Sequence, residues 1–143
     1  MNGTGEVNLL AHVLVPVAHA KDAQLTSAAL EPYAPDEITT LHVVEKGGGA
    51  PDKTPVTQSD EVAEEAFTAV RQVFPEANER KTYERDVANA ILTAAEEIGA
   101  SAIAFRARSG HRLLQFLSGD ISLQLVTGAD RPVIALPQVN TDE

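Results

Sequence analysis

Ala11-His12-Val13-Leu14-Val15-Pro16-Val17 is apolar at every position but one, and its reading decides the fold. A strand with one wet face alternates polar and apolar residues. A near-continuous apolar run marks a strand covered on both faces, which is the situation of a parallel sheet. Working outward, residues 21–30 read as a short helix, stopped by Pro32. Glu37-Ile38-Thr39-Thr40-Leu41-His42-Val43-Val44 is a second strand, followed by a loop from Glu45 to Gln58 that contains Gly47-Gly48-Gly49, Pro51 and Pro55. Ser59 is expected to cap the next helix, with Asp60 and Glu61 in a first turn that favours negative charge. Val62, Ala66, Val70 and Val73 recur at helical spacing, and Pro75 marks the end.

The second half repeats the alternation. Glu79 to Glu84 is a polar, charged strand. Asp86 to Ile98 is an amphipathic helix in which Val87, Ile91, Leu92, Ala95 and Ile98 share a face, with Gly99 at its C-cap. Ser101 to Phe105 is a fourth buried strand, Ile121 to Val126 a last helix, and Val133-Ile134-Ala135-Leu136 a final strand framed by Pro132 and Pro137. Strands alternating with helices form right-handed βαβ units. The expected fold is an α/β, doubly wound, five-stranded parallel sheet of order 3-2-1-4-5, Rossmann-like, with helices on both faces. The domain is expected to span residues 11–137, with residues 1–10 as an N-terminal extension and 138–143 as a tail.

That order makes the third and fifth strands the edges. Edge strands ordinarily carry charge that blocks pairing. The third does, with Glu79, Arg80, Lys81 and Glu84, whereas the fifth has none. An uncharged apolar edge invites a second copy, so a homodimer through Val133, Ile134, Ala135 and Leu136 is expected. The alternative, a loop or the tail covering this strand, stays open.

A net charge of −10 over 143 residues repels polyanions, which argues against nonspecific nucleic-acid binding and against anionic membranes. Zero cysteines exclude disulfides, thiol catalysis and cysteine zinc sites. The first six residues lack a signal peptide's regions, and no apolar run approaches the roughly 20 residues of a membrane span, so a soluble cytoplasmic domain is expected. Few lysines, many alanines and the acidic balance resemble proteins of salt-rich, halophile cytoplasm; an ordinary acidic protein is the alternative.

Against this acidity stands a basic island, Phe105-Arg106-Ala107-Arg108-Ser109-Gly110-His111-Arg112. It holds three of the seven arginines, and no Asp or Glu occurs from Ile98 through Gly119. It follows the fourth strand, and ligands of open α/β sheets bind outside the strands' carboxyl ends. Guanidinium groups take phosphate bidentately, so Arg106, Arg108 and Arg112, with N–H donors from Ser109 and Gly110, form a candidate anion site. The competing reading pairs these arginines with surface carboxylates. The triple glycine after Lys46 lacks the rest of a phosphate-loop motif and reads as a loop. His12, His19, His42 and His111 show no ligand spacing; His42 reads as a hydrogen-bonded core residue. Glu64-Glu65 and Glu96-Glu97 read as solvated helix faces. A receiver domain needs acids at the first strand's end, where this chain has Pro16-Val17-Ala18-His19.

Four segments, in order, carry a family resemblance: Val13-Leu14-Val15-Pro16-Val17-Ala18, Leu41-His42-Val43-Val44, Arg85-Asp86-Val87-Ala88-Asn89-Ala90-Ile91 and Asp130-Arg131-Pro132-Val133. The chain resembles the universal stress protein family, the UspA-like domains, over nearly its whole length. The resemblance implies a homodimeric stress or regulatory protein, with ATP, AMP or another phosphate-bearing ligand lying near Pro16, Ala18, Val43, Gly119 and Asp120. It also implies a phosphate cradle, G-x2-G-x9-G-[S/T], after the fourth strand. This sequence departs from that motif. Placed against Gly119 its positions read Arg106, Ser109, Gly119 and Asp120; placed on Arg108-Ser109-Gly110, the two glycines become Ala104 and Ala107. Ala18 stands where relatives carry an aspartate. Asp120 is expected as the N-cap of the last helix. A dimeric scaffold of the same fold that binds no nucleotide is the alternative function. An enzyme has least support, since no base or metal-ligand set is visible apart from Asp120.

Overall fold

In the computed structural model, residues 8–45, 56–106 and 119–137 are described, with the backbone alone given at 45, 56–59, 119 and 120. The elements are β1 (Val13–Pro16), α1 (Ala20–Leu30), a 3-10 turn (Glu31–Tyr33), β2 (Ile38–Glu45), α2 (Val56–Val73), β3 (Asn78–Glu84), α3 (Val87–Ile98), β4 (Ala102–Arg106), α4 (Gly119–Gly128) and β5 (Val133–Leu136). All strand pairs are parallel, in the order β3-β2-β1-β4-β5. The doubly wound α/β architecture read from the sequence is therefore the observed one.

Two apolar layers sandwich the sheet. Val13, Val15, Val17, Ile38, Ala104 and Leu136 face α1 and α2, packing on Ala23, Leu30, Ala66 and Val70. Leu14, Leu41, Val43, Ile103 and Phe105 face α3 and α4, packing on Ile91, Ala95 and Leu125. Consecutive strand residues thus serve opposite faces, as the pleat requires. β1 is buried at all four positions, which explains its unbroken apolar run. Pro16 closes the strand, and Val17 still donates its N–H to the Leu41 carbonyl at 2.9 Å.

The C-cap of α3 lies where the sequence puts it, and Asp86, read from the sequence as the first helical residue, is the N-cap. Asp86 accepts from the Asn89 N–H at 3.1 Å, and Gly99 adopts φ 67°, a left-handed conformation. Its N–H reaches the Ala95 and Glu96 carbonyls. Three expectations need correction. Helix α2 begins at Val56, so Ser59 does not cap it, and Asp60 and Glu61 follow its first turn. Helix α4 begins at Gly119, which puts Asp120 within the first turn rather than ahead of it. An acid satisfies the helix dipole in either place. Strand β4 extends one residue further than expected, through Arg106.

Three charges of edge strand β3 are tied to the neighbouring layers. Arg71 of α2 pairs with Glu79, Arg80 pairs with Glu97 of α3, and Lys81 Nζ lies 2.6 Å from Asp60 Oδ1 of α2. At the far side Arg131 donates to the Ala95 and Ala100 carbonyls at 3.1 and 2.8 Å, joining the end of α3 to the start of β4.

Candidate functional site

Because the strand order reverses between β1 and β4, the connection after β1 leaves toward α1 and the one after β4 toward α4. Their divergence opens a crevice at the carboxyl ends of these two strands, the place where open α/β sheets take ligands.

On the β1 side the turn is Val17-Ala18-His19. His19 is the N-cap of α1, its Nδ1 accepting from the Asp22 N–H at 3.2 Å. Asp22 reaches back from the first turn of α1, and its Oδ2 accepts from the Ala18 N–H at 2.7 Å. This reciprocal arrangement resembles a capping box, with an acid placed at the positive end of the helix. Oδ1 of Asp22 takes a longer contact from Thr26 Oγ1 at 3.4 Å.

The β4 side supplies Arg106. Sequence reasoning puts this residue in the loop past the strand; it is instead the last residue of β4, paired in register with Leu136. Two residues on from Ala104, its side chain shares the α1 face of the sheet, and it is only 9% exposed. Its Nη2 lies 3.5 Å from Asp22 Oδ1, whose side chain is 3% exposed. A buried charge needs a partner, and this one is found across the crevice. The expectation that Arg106 stands with the other arginines as loop cations is thus corrected: the pleat turns it inward, beneath α1.

The remaining site residues divide clearly. Pro16 ends β1 in the crevice floor, buried, and Ala18 is half-buried at its lip. Val43 is 4% exposed and packs in the core with Leu14 and Leu41, beneath α3. Gly119 and Asp120 form the start of α4, so a helix N-terminus does follow the basic island. Arg108, Ser109, Gly110, His111 and Arg112 lie outside the described residues, as do the triple glycine and the tail. Of the strand expected to pair, Leu136 is buried, Val133 and Ile134 are half-buried, and Ala135 is exposed, at the sheet's edge.

His42 is a buried neighbour of the crevice. Its Nδ1 lies 3.2 Å from the Val17 carbonyl, so Nδ1–H donates and the neutral ring leaves Nε2 unprotonated. Burial lowers its pKa below the ordinary histidine value, and Lys81 and His19 act in the same direction, while the Val17 carbonyl opposes them. Asp60, hydrogen-bonded by Lys81, is held below the usual carboxylate range, and Lys81 is raised in turn.

Among the described residues no group of three His, Asp or Glu is placed to hold a metal ion. Nor is any helix long and apolar enough to cross a membrane. Two surface grooves lie elsewhere. One of about 460 Å³ runs between α1 and α2 past Lys21, Gln24, Glu64 and Glu65. The other, about 510 Å³, sits at the amino-terminal edge of the sheet around Asp36, Phe74 and Asn78. The crevice differs from both in holding a buried ion pair. Asp22 was missed by sequence reasoning, although an acid three residues after a potential cap was a usable sign.

Comparison with known proteins bears on this arrangement. The sequence model of the Universal stress protein family matches residues 10–137. No curated protein matches the chain in sequence. Solved structures of similar fold include a universal stress protein from Archaeoglobus fulgidus in complex with dAMP, with TM-score 0.64 and 20% identity, covering 90% of this chain and 99% of that one. UspA from Lactobacillus plantarum gives 0.60 at 20% identity, with 89% and 97% covered. A universal stress protein family protein from Arabidopsis thaliana with AMP bound gives 0.59 at 16% identity, with 92% and 94% covered. At such identities the likeness is one of fold.

Proposed function

The chain belongs to the universal stress protein family, and from that premise we propose that it is a non-enzymatic, cytoplasmic stress or regulatory protein that binds a small phosphate-bearing ligand at the β1/β4 crevice. The observation that carries this reading is the crevice itself: β4 leads directly into the basic segment, and α4 starts at Gly119 behind it. A helix N-terminus and arginine side chains are both favourable partners for phosphate. In this reading Arg108 and Arg112 supply charge, Ser109 and Gly110 supply N–H donors, and Pro16 and Ala18 border the uncharged part of the ligand, while Val43, packed in the core, supports the sheet beneath it. Bound dAMP and AMP in relatives of this fold make a nucleotide the first ligand to try.

The departure from the glycine motif favours a second reading, a dimeric scaffold without nucleotide. Residues with a Cβ restrict positive φ and crowd a backbone's approach to phosphate. Calorimetric titration with ATP, AMP and inorganic phosphate, after mass spectrometry of any ligand released from native protein, separates the two. Saturable binding of one ligand per chain supports the first reading; no heat with any of the three, at the protein's native salt, leaves the scaffold.

A further inference from the structure

We propose that Asp22 sets the anion selectivity of the crevice: it neutralises Arg106 across the gap between β1 and β4 and so withholds that guanidinium from the ligand. The proposal rests on the reading of the crevice as the ligand site and adds to it which charges the ligand meets.

The geometry is that of a strap. Asp22 is fixed twice, through the Ala18 N–H at 2.7 Å and through its place in the first turn of α1. Arg106 is fixed by the β4 ladder, in register with Leu136. Neither backbone moves without disturbing the sheet or the helix, so the 3.5 Å contact joins the two lips of the crevice. Both side chains are more than nine-tenths buried, which removes the screening that makes exposed pairs interchangeable with water. The Asp22 carboxylate also occupies the Ala18 N–H and the positive end of α1, both of which would otherwise attract an anion. A polyphosphate arriving here meets a carboxylate and a neutralised arginine. A ligand with a single phosphate, held from the α4 side, meets no such penalty.

The test is a cycle of variants titrated with inorganic pyrophosphate and with inorganic phosphate. Asp22→Asn keeps an oxygen for the Ala18 N–H but frees the charge of Arg106. It is expected to bind pyrophosphate about tenfold or more tightly than the parent, with a smaller gain for phosphate, while melting at a lower temperature. A gain in affinity together with a loss of stability is something a merely structural role would not produce. Arg106→Gln removes the charge that balances the Asp22 carboxylate and is expected to bind pyrophosphate several-fold more weakly than the parent, whereas the double variant, neutral like the parent's pair, should match it within about twofold. The double variant should lose the gain and recover stability relative to Asp22→Asn. Glu31→Gln, just beyond the far end of α1, removes the same unit of charge and should change nothing. A gain absent from Asp22→Asn, a gain that persists in the double variant, or a double variant that binds pyrophosphate clearly more weakly than the parent overturns the proposal. If Asp22→Asn does not fold, recovery of the fold in the double variant and the Arg106→Gln affinity decide. A parent protein that binds neither anion defeats the reading of the crevice as its ligand site; the proposal then stands only if Asp22→Asn binds pyrophosphate, and falls if it does not.

Discussion

His42 ties the chemistry of one residue to the stability of the chain. Its ring is buried against the Val17 carbonyl, and burial, followed by the nearby Lys81 and His19 charges, lowers its pKa from 6.5. The unfolded chain therefore takes up the proton more readily than the folded one. Stability from this residue is complete above the unfolded value and is lost as pH falls below it. Urea unfolding between about pH 7.5 and 5.5 should show a declining free energy, and the decline should be shallower in His42→Gln. Equal slopes in the two proteins would contradict the assignment. Asp60 adds a separate loss at more acidic pH, since its lowered pKa stabilises the fold only while it is ionised. The sequence disclosed His42 as a core residue because it interrupts an apolar strand. It did not disclose the Asp22–Arg106 contact, whose members are 84 residues apart. Local periodicity carries no record of which distant side chains meet.

At the scale of elements, α3 was the most legible. Its cap residues, apolar face and terminal glycine agree, and each acts within one turn of its own position. Asp86→Ala removes the bond to the Asn89 N–H and should cost about 1 kcal/mol. Gly99→Ala meets no atom within 4 Å, so its cost is purely conformational, about 1–2 kcal/mol for an alanine at φ 67°. The two sites lie at opposite ends of a 12-residue helix, and their effects in urea denaturation should add. Arg131 was legible as a sequence feature but not in its role. By bonding the Ala95 and Ala100 carbonyls it ties the end of α3 to the segment that enters β4, sharing the Ala95 carbonyl with the Ala100 N–H. Arg131→Ala should destabilise the protein by about 1.5–3 kcal/mol, because the single Nη1 group that donates to both carbonyls is lost. The starts of α2 and α4 were misplaced for a plain reason: several nearby residues each suit a helix N-terminus, and composition alone does not rank them.

At the scale of the whole molecule, strand order followed from alternation and from the handedness of crossovers, and that order fixes where the crevice lies. The same order leaves β5 at an edge without charge, in a chain whose net charge of −10 otherwise keeps copies apart. We expect sedimentation at micromolar concentration to report a dimer and Ala135→Lys, which puts charge on an exposed edge position, to report a monomer; a monomeric parent protein ends the idea. The candidate site was legible only as a place, because the charges proposed for it come from a segment whose partners no periodicity names. Binding of a phosphate-bearing ligand at this place, through the arginines after β4, is the function proposed for the crevice. Its most direct test is a calorimetric titration with AMP of the parent protein and of the Arg108→Ala/Arg112→Ala variant. Saturable binding of one AMP per chain, weakened at least about tenfold in the variant, is the result predicted. Binding of equal strength in both proteins, or none in the parent, would contradict it.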